Sequence, residues 1–163
     1  MNINTSSFVK FKLKYKTRIM KRILITIISF ALITFAANAT DRPIEFGELP
    51  AAAQNFIKTD FQDLTVSFVT KDTELLDTTY EVNFTNGLKI EFNSKGEWRE
   101  ISNSLSTIES KYIPQQIQKT VSARWPDAGY KKIERDRHGY EIELTNRLEL
   151  KFNKTFKLIE IDD

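Results

Sequence analysis

Cysteine is missing from all 163 residues. That excludes disulfide staples, thiolate zinc sites, a cysteine nucleophile and lipid attachment through a lipobox cysteine. Histidine occurs once, as His138, which leaves no pair of imidazoles for acid–base work and no histidine-rich metal cluster. These absences weigh against an enzyme. A long apolar run is also missing, because the most hydrophobic stretch, Ile23 to Phe35, spans thirteen residues. Crossing the hydrocarbon core takes ~20 apolar residues, so this run is too short for a transmembrane helix.

What surrounds that run gives it a different meaning. Arg18, Lys21 and Arg22 precede it and Ala37-Asn38-Ala39 follows. A basic region, a short apolar core and an A-x-A site describe a secretory signal peptide over residues 1–39, cleaved near Ala39-Thr40. Counted from Met20 the leader has an ordinary length of 20 residues, and Met20 is the expected physiological start. Export to the periplasm, or secretion, follows from this reading.

Cleavage would change the electrostatics. Seven of the 24 Lys and Arg lie in residues 1–39, which leaves 17 basic against 22 acidic residues, a net charge of −5. A chain of that charge with no basic run has little attraction for phosphate backbones or anionic lipid. Nucleic-acid binding and membrane insertion after cleavage are therefore disfavoured. Residues 40–104 carry six basic and twelve acidic groups, and residues 105–163 carry eleven and ten, an asymmetry that could orient an encounter with a partner.

The exported region contains itself twice. Tyr80 to Ser102 reads YEVNFTNGLKIEFNSKGEWREIS and Tyr140 to Asp162 reads YEIELTNRLELKFNKTFKLIEID, identical at nine of 23 positions at an offset of 60. Upstream, Leu49-Pro50 matches Ile113-Pro114 at an offset of 64, and the four-residue difference is assigned to a loop between Leu64 and Thr79. This pattern reads as a tandem duplication with units at 40–104 and 105–163. Pro50 and Pro114 suit first helical turns. Leu49, Ala53, Phe56, Ile57 and Phe61 make one helical stripe, and Ile113, Ile117, Val121 and Trp125 make the other.

Four β-rich segments follow each helix: near Thr65–Thr70, Thr79–Phe84, Leu88–Asn93 and Glu97–Ser102, then near Tyr130–Asp136, Gly139–Thr145, Leu148–Asn153 and Phe156–Ile161. The spacing predicts an α+β fold, a tandem repeat of two α-β-β-β-β units with helices packed on one face of antiparallel sheets. A short linker helix is expected near Ser104–Tyr112.

Register decides which side chains face inward. A two-residue turn at Asn86-Gly87 would split Val82 and Phe84 from Leu88, Ile90 and Phe92. A three-residue loop with Gly87 at positive φ gathers Tyr80, Val82, Phe84, Leu88, Ile90 and Phe92 on one face. A slip would expose several apolar side chains at ~1.5–3 kcal/mol each, so burial selects the three-residue loop. In the second copy Arg147 stands at the glycine position, and a different relaxation of that turn is expected. An even-numbered loop around Ser94-Lys95-Gly96 sets Asn93 opposite Trp98 and Ile90 opposite Ile101. Trp98 and Leu158 then point to the outer face, beside Lys89, Glu91, Glu149 and Lys151. That face stays polar and open, because one helix covers only one side of four strands.

The signal peptide, the duplicated α-then-four-β unit and the motif YEV-x-F-x-NGL-x-I-x-F-N-x-x-G-x-W at Tyr80–Trp98 resemble the PepSY-like family of periplasmic proteins of the Bacteroidetes. That family is likened in fold to the β-lactamase-inhibitory protein. The resemblance covers about residues 48–163, with a second copy at Tyr140–Leu158 and a Trp-Pro-Asp helix ending at 125–127. The second copy departs where Arg147 and Phe156 replace glycines and Leu158 replaces tryptophan. The resemblance implies a non-enzymatic, exported binding or inhibitor-like module. It carries no catalytic motif, and fold alone does not transfer β-lactamase inhibition.

The residues themselves single out no catalytic, cofactor-binding or metal-binding set. Alternating Glu and Lys on an open sheet reads as cross-strand ion pairing rather than as a catalytic carboxylate pair. Asp72-Thr73-Glu74 and Asp60-Phe61-Gln62-Asp63 lack the central glycine of a Ca²⁺ loop. His138 sits in a turn-like cluster. Trp98 reads either as an interface anchor or as a ring laid over its own neighbours. The expected function is an exported protein-binding module whose partner is a periplasmic or extracellular protein. Trp98, Lys89, Glu91, Tyr80 and Leu158 are its candidate contact residues. The alternative is a small-ligand or envelope-stress sensor module with a cleft between the repeats.

Overall fold

The computed structural model describes residues 41–74 and 77–163. The expected signal peptide lies outside them. The described elements run β1 (Arg42–Ile44), α1 (Ala51–Asp60), β2 (Val66–Glu74), β3 (Asp77–Phe84), β4 (Leu88–Phe92), β5 (Trp98–Asn103), α2 (Gln115–Arg124), β6 (Tyr130–Arg135), β7 (Gly139–Leu144), β8 (Glu149–Asn153) and β9 (Leu158–Asp162). Short 3-10 turns at Phe46–Glu48 and Ser110–Tyr112 lead into the two helices. All nine strands form one antiparallel sheet in sequence order, with β5 paired to β6, so the two helix-plus-four-strand halves share it. The expected linker helix is reduced to the 3-10 turn, and β1 is an addition that the sequence reading did not include.

Burial by the helices explains why one face of the inner strands, β3 to β8, is apolar. Leu49, Ala53, Ile57 and Phe61 from the first helical segment, and Ile113, Ile117 and Val121 from the second, pack on Val82, Ile90, Phe92, Ile101, Ile133, Ile142, Leu150 and Phe152 of the sheet. Phe92 is 0% exposed and Phe152 is 2% exposed. The proline positions work as the local chemistry requires: Pro50 and Pro114 precede the first helical residues, where a missing N–H leaves no bond unmade. Gln54 donates from Nε2 to the carbonyls of Gly47 (3.0 Å) and Leu49 (2.9 Å). Gln118 does the same for Ser110 (2.9 Å) and Ile113 (2.8 Å), so each helix is tied to the turn before it.

The three-residue hairpin loop is present in both halves. Tyr80 lies opposite Phe92 and Val82 opposite Ile90, and Gly87 has φ +82°. Tyr140 lies opposite Phe152 and Ile142 opposite Leu150, with Arg147 at φ +72°. The second turn therefore does not relax differently: Arg147 takes the left-handed conformation, because any other loop would turn the apolar face outward. Phe156, at φ +60°, likewise occupies the position of Gly96, at φ +80°.

Two register details depart from the sequence reading. The four extra residues of the first half lengthen the β2–β3 pairing, through Thr73 opposite Thr78 and Glu74 opposite Asp77, instead of forming a loop. In β5, Ile101 does face Ile90, but Trp98 faces Phe92 instead of Asn93, because a β-bulge falls between Trp98 and Glu100. The same bulge sets Leu158 opposite Phe152 in β9.

Candidate interaction surface

The sheet face away from the helices is built by alternation. Once Val82, Ile90, Ile101, Ile133 and Ile142 face the helices, their strand neighbours must face the other way. Glu81, Glu91, Glu100, Glu134 and Glu141 stand directly opposite one another on β3 to β7, so five glutamates cross five adjacent strands in one row. Strands lie ~4.8 Å apart, and like charges directly opposite destabilise a sheet.

The adjoining row supplies the compensation. Lys89 Nζ reaches Glu81 at 3.4 Å and Glu100 at 3.1 Å, and Lys132 Nζ reaches Glu141 at 2.9 Å and Glu134 at 3.7 Å. Lys151 bridges Glu160 and Asp162, both at 2.9 Å. Burial draws the Lys89 ammonium down, but Glu100 and Glu81 more than offset it, and its pKa ends above the ordinary lysine value. Glu91, which stands between Glu81 and Glu100 in the row, makes no ion pair among the described residues. Burial pushes its carboxyl pKa up, Glu100 and Glu134 push it further, and Lys89 and Arg99 only partly oppose them.

Beside this row opens a groove of about 770 Å³, lined by acidic groups that include Glu91, Glu100 and Glu134 and also by Trp98, Arg99, Arg135 and Arg137. Arg99 donates to Asp77 at 2.9 Å, which holds the Asp77 carboxyl below the usual range. Asp136 is held low by the backbone N–H groups of His138 and Gly139, so His138 belongs to a hydrogen-bonded turn. No group of three or more His, Asp or Glu among the described residues stands where it could hold one metal ion.

The candidate contact residues divide between the two faces. Lys89 and Glu91 lie on the open face as expected. Tyr80 lies on the helix-covered face at its rim, with the Lys71 ammonium 5.7 Å from its ring centroid. Trp98 and Leu158 do not point to the open face: the bulges turn both towards the side of Phe92 and Phe152, where they pack half-buried against the core. Trp98 is held there by Arg135, whose guanidinium lies 3.6 Å from the indole centroid and whose Nε donates to the Trp98 carbonyl at 2.8 Å. Sequence reasoning missed Glu100, Glu134 and Glu141 as members of one row, because the pairing of β5 with β6 that sets Glu100 opposite Glu134 joins segments far apart in the chain. The repeated Glu at Glu81 and Glu141 was the available signal.

The fold defines an α+β protein on one open antiparallel sheet, with helices on a single side. The profile of the family described as "Putative beta-lactamase-inhibitor-like, PepSY-like" matches residues 78–160. Among solved structures, one from Bacteroides vulgatus ATCC 8482, described as a "putative periplasmic protein" of the DUF2874 family, aligns with a TM-score of 0.73 and 42% identity over 78% of this chain and 100% of its own. A second, from Bacteroides thetaiotaomicron, is described as a "putative calcium-regulated periplasmic protein". It aligns with a TM-score of 0.72 and 45% identity over 76% of this chain and 97% of its own. A third, again from Bacteroides vulgatus ATCC 8482, has a TM-score of 0.71 and 35% identity over 76% of this chain and 100% of its own. None of the curated proteins matches. The chain belongs to the PepSY-like family. No helix among the described residues is long and apolar enough to cross a membrane.

Proposed function

We propose that this chain is an exported, non-enzymatic protein-interaction module that engages a periplasmic partner through its open sheet face. The observation that carries the proposal is the glutamate row, in which Glu91 lies between two other glutamates and has no ion-pair partner among the described residues. Five like charges aligned across neighbouring strands cost stability, and two lysines relieve only part of that cost. A cationic partner surface would supply the missing counter-charge, and a sheet face has the width that a protein footprint needs. The periplasmic description of the structural neighbours supports the compartment. The groove is lined mainly by charged groups, which fits a protein rim better than an apolar small-molecule pocket.

The two halves carry the same helix tie, through Gln54 and Gln118, and the same positive-φ turn positions. These correspondences support a tandem duplication, in which the open face of one ancestral unit was doubled in width. The test is charge reversal. Wild-type protein and a Glu100→Lys/Glu134→Lys double variant are used to capture partners from a periplasmic extract at matched melting temperature. The reading requires a defined set of captured proteins that is lost from the double variant. Identical capture by both would refute it.

A further inference from the structure

A second surface of the sheet, independent of the open face, is its β9 edge. Among the described residues β9 has a neighbour only in β8. The other edge, β1, is three residues long and contains Pro43, which has no N–H to offer a further strand. β9 is five residues long, contains no proline, and shows Ile159 at 62% and Ile161 at 46% exposure.

The chain itself shows what such an edge accepts. β5 and β9 hold matching positions in the sheet: Ile101 faces Ile90 as Ile161 faces Leu150, and Trp98 faces Phe92 as Leu158 faces Phe152, with the same bulge in each. The outer edge of β5 is taken by β6, which sets Ile133 against Ile101 and Lys132 against Ser102. Ile101 is then 0% exposed, whereas Ile161, which lacks that neighbour, is not covered. The bulge is thus no obstacle to pairing.

We propose that the β9 edge binds an extended segment of a partner protein as a tenth, antiparallel strand, with the pattern basic–aliphatic–basic. The aliphatic residue covers Ile161. The basic residues lie beside Asp162 and Glu160, two carboxylates that share the single ammonium of Lys151. Main-chain hydrogen bonds supply the affinity, and this alternation supplies the specificity. A second copy of this chain is the poorer occupant, because β9 against β9 brings acidic side chains against acidic ones.

The test titrates the purified protein with the peptide acetyl-Tyr-Lys-Lys-Ile-Lys-Arg-amide and follows backbone amide shifts by NMR. The expected shifts concentrate on Leu158–Asp162. Affinity should fall at least about tenfold when proline replaces the peptide isoleucine, a change made in the ligand that leaves the protein's folding untouched. Ile161→Lys, a half-exposed position, should weaken binding to a similar extent at an unchanged melting temperature. The proposal is overturned by the absence of shifts up to about 1 mM peptide. It is equally overturned by shifts centred on Glu91 and Glu134 that the proline peptide reproduces, which would mean capture by charge alone. Self-association through β9 without peptide would name a second copy as the occupant and also overturn it.

Discussion

Arg147→Gly should make the protein more stable, although it removes a whole side chain. Arg147 holds the third position of the β7–β8 loop at φ +72°, the same role that Gly87 plays at φ +82° in the first half. A side-chain-bearing residue in this left-handed region costs roughly 1–2 kcal/mol. Glycine removes that strain but gives the unfolded chain more freedom, which costs roughly 0.4–1 kcal/mol. Arg147 is exposed and makes no ion pair among the described residues, so little packing or charge is lost. The balance is a gain of about 0.5–1 kcal/mol, or a rise in melting temperature of about 2–5 °C. Calorimetry on matched samples reads this directly. A loss of stability would mean that the loop does not need a left-handed third residue, and the register that assigns the two sheet faces would fail with it.

The other predictions concern charge, core and turn. Glu91→Gln should stabilise the protein at pH 7. Because the native carboxyl pKa lies above the ordinary glutamate value, the wild type loses stability as pH rises from about 4.5 through that native pKa. The advantage of the glutamine variant should therefore vanish below pH 4.5, and chemical denaturation across pH 4–8 checks it. Phe92→Ala deletes a ring that is 0% exposed and lies 6.0 Å from Phe56, and should cost about 3–5 kcal/mol in denaturant titration. Gly96→Ala combines φ +80° with a Cβ that would stand 2.8 Å from the Ala53 backbone nitrogen, and should cost about 1–3 kcal/mol by the same measurement.

Much of this architecture was legible because burial and periodicity speak through single segments. The helical stripes, the hairpin at Asn86-Gly87 and the inward set from Val82 to Phe92 needed only local spacing and the cost of exposing apolar side chains. The bulges in β5 and β9 were not legible. One extra backbone residue leaves the alternation of Trp98-Arg99-Glu100 unchanged to the eye, yet it moves Trp98 to the side of Phe92. The stacking of Arg135 on that indole joins residues 37 apart and had no local trace. Cross-strand pairing of Glu with Lys on the open face is legible in the sequence, but the alignment of five glutamates is not, because it depends on β5 meeting β6, a pairing between halves that neither half encodes alone. The β1 edge escaped notice because three residues with a proline carry no strand signal.

The account turns on the acidic sheet face being the surface that meets a partner. In-cell photo-crosslinking tests this most directly, with a photoreactive amino acid placed at residue 91 on that face and, for comparison, at exposed residue 119 on α2. The account predicts a discrete protein adduct from position 91 and none from position 119. Adducts from the helix side alone would contradict it.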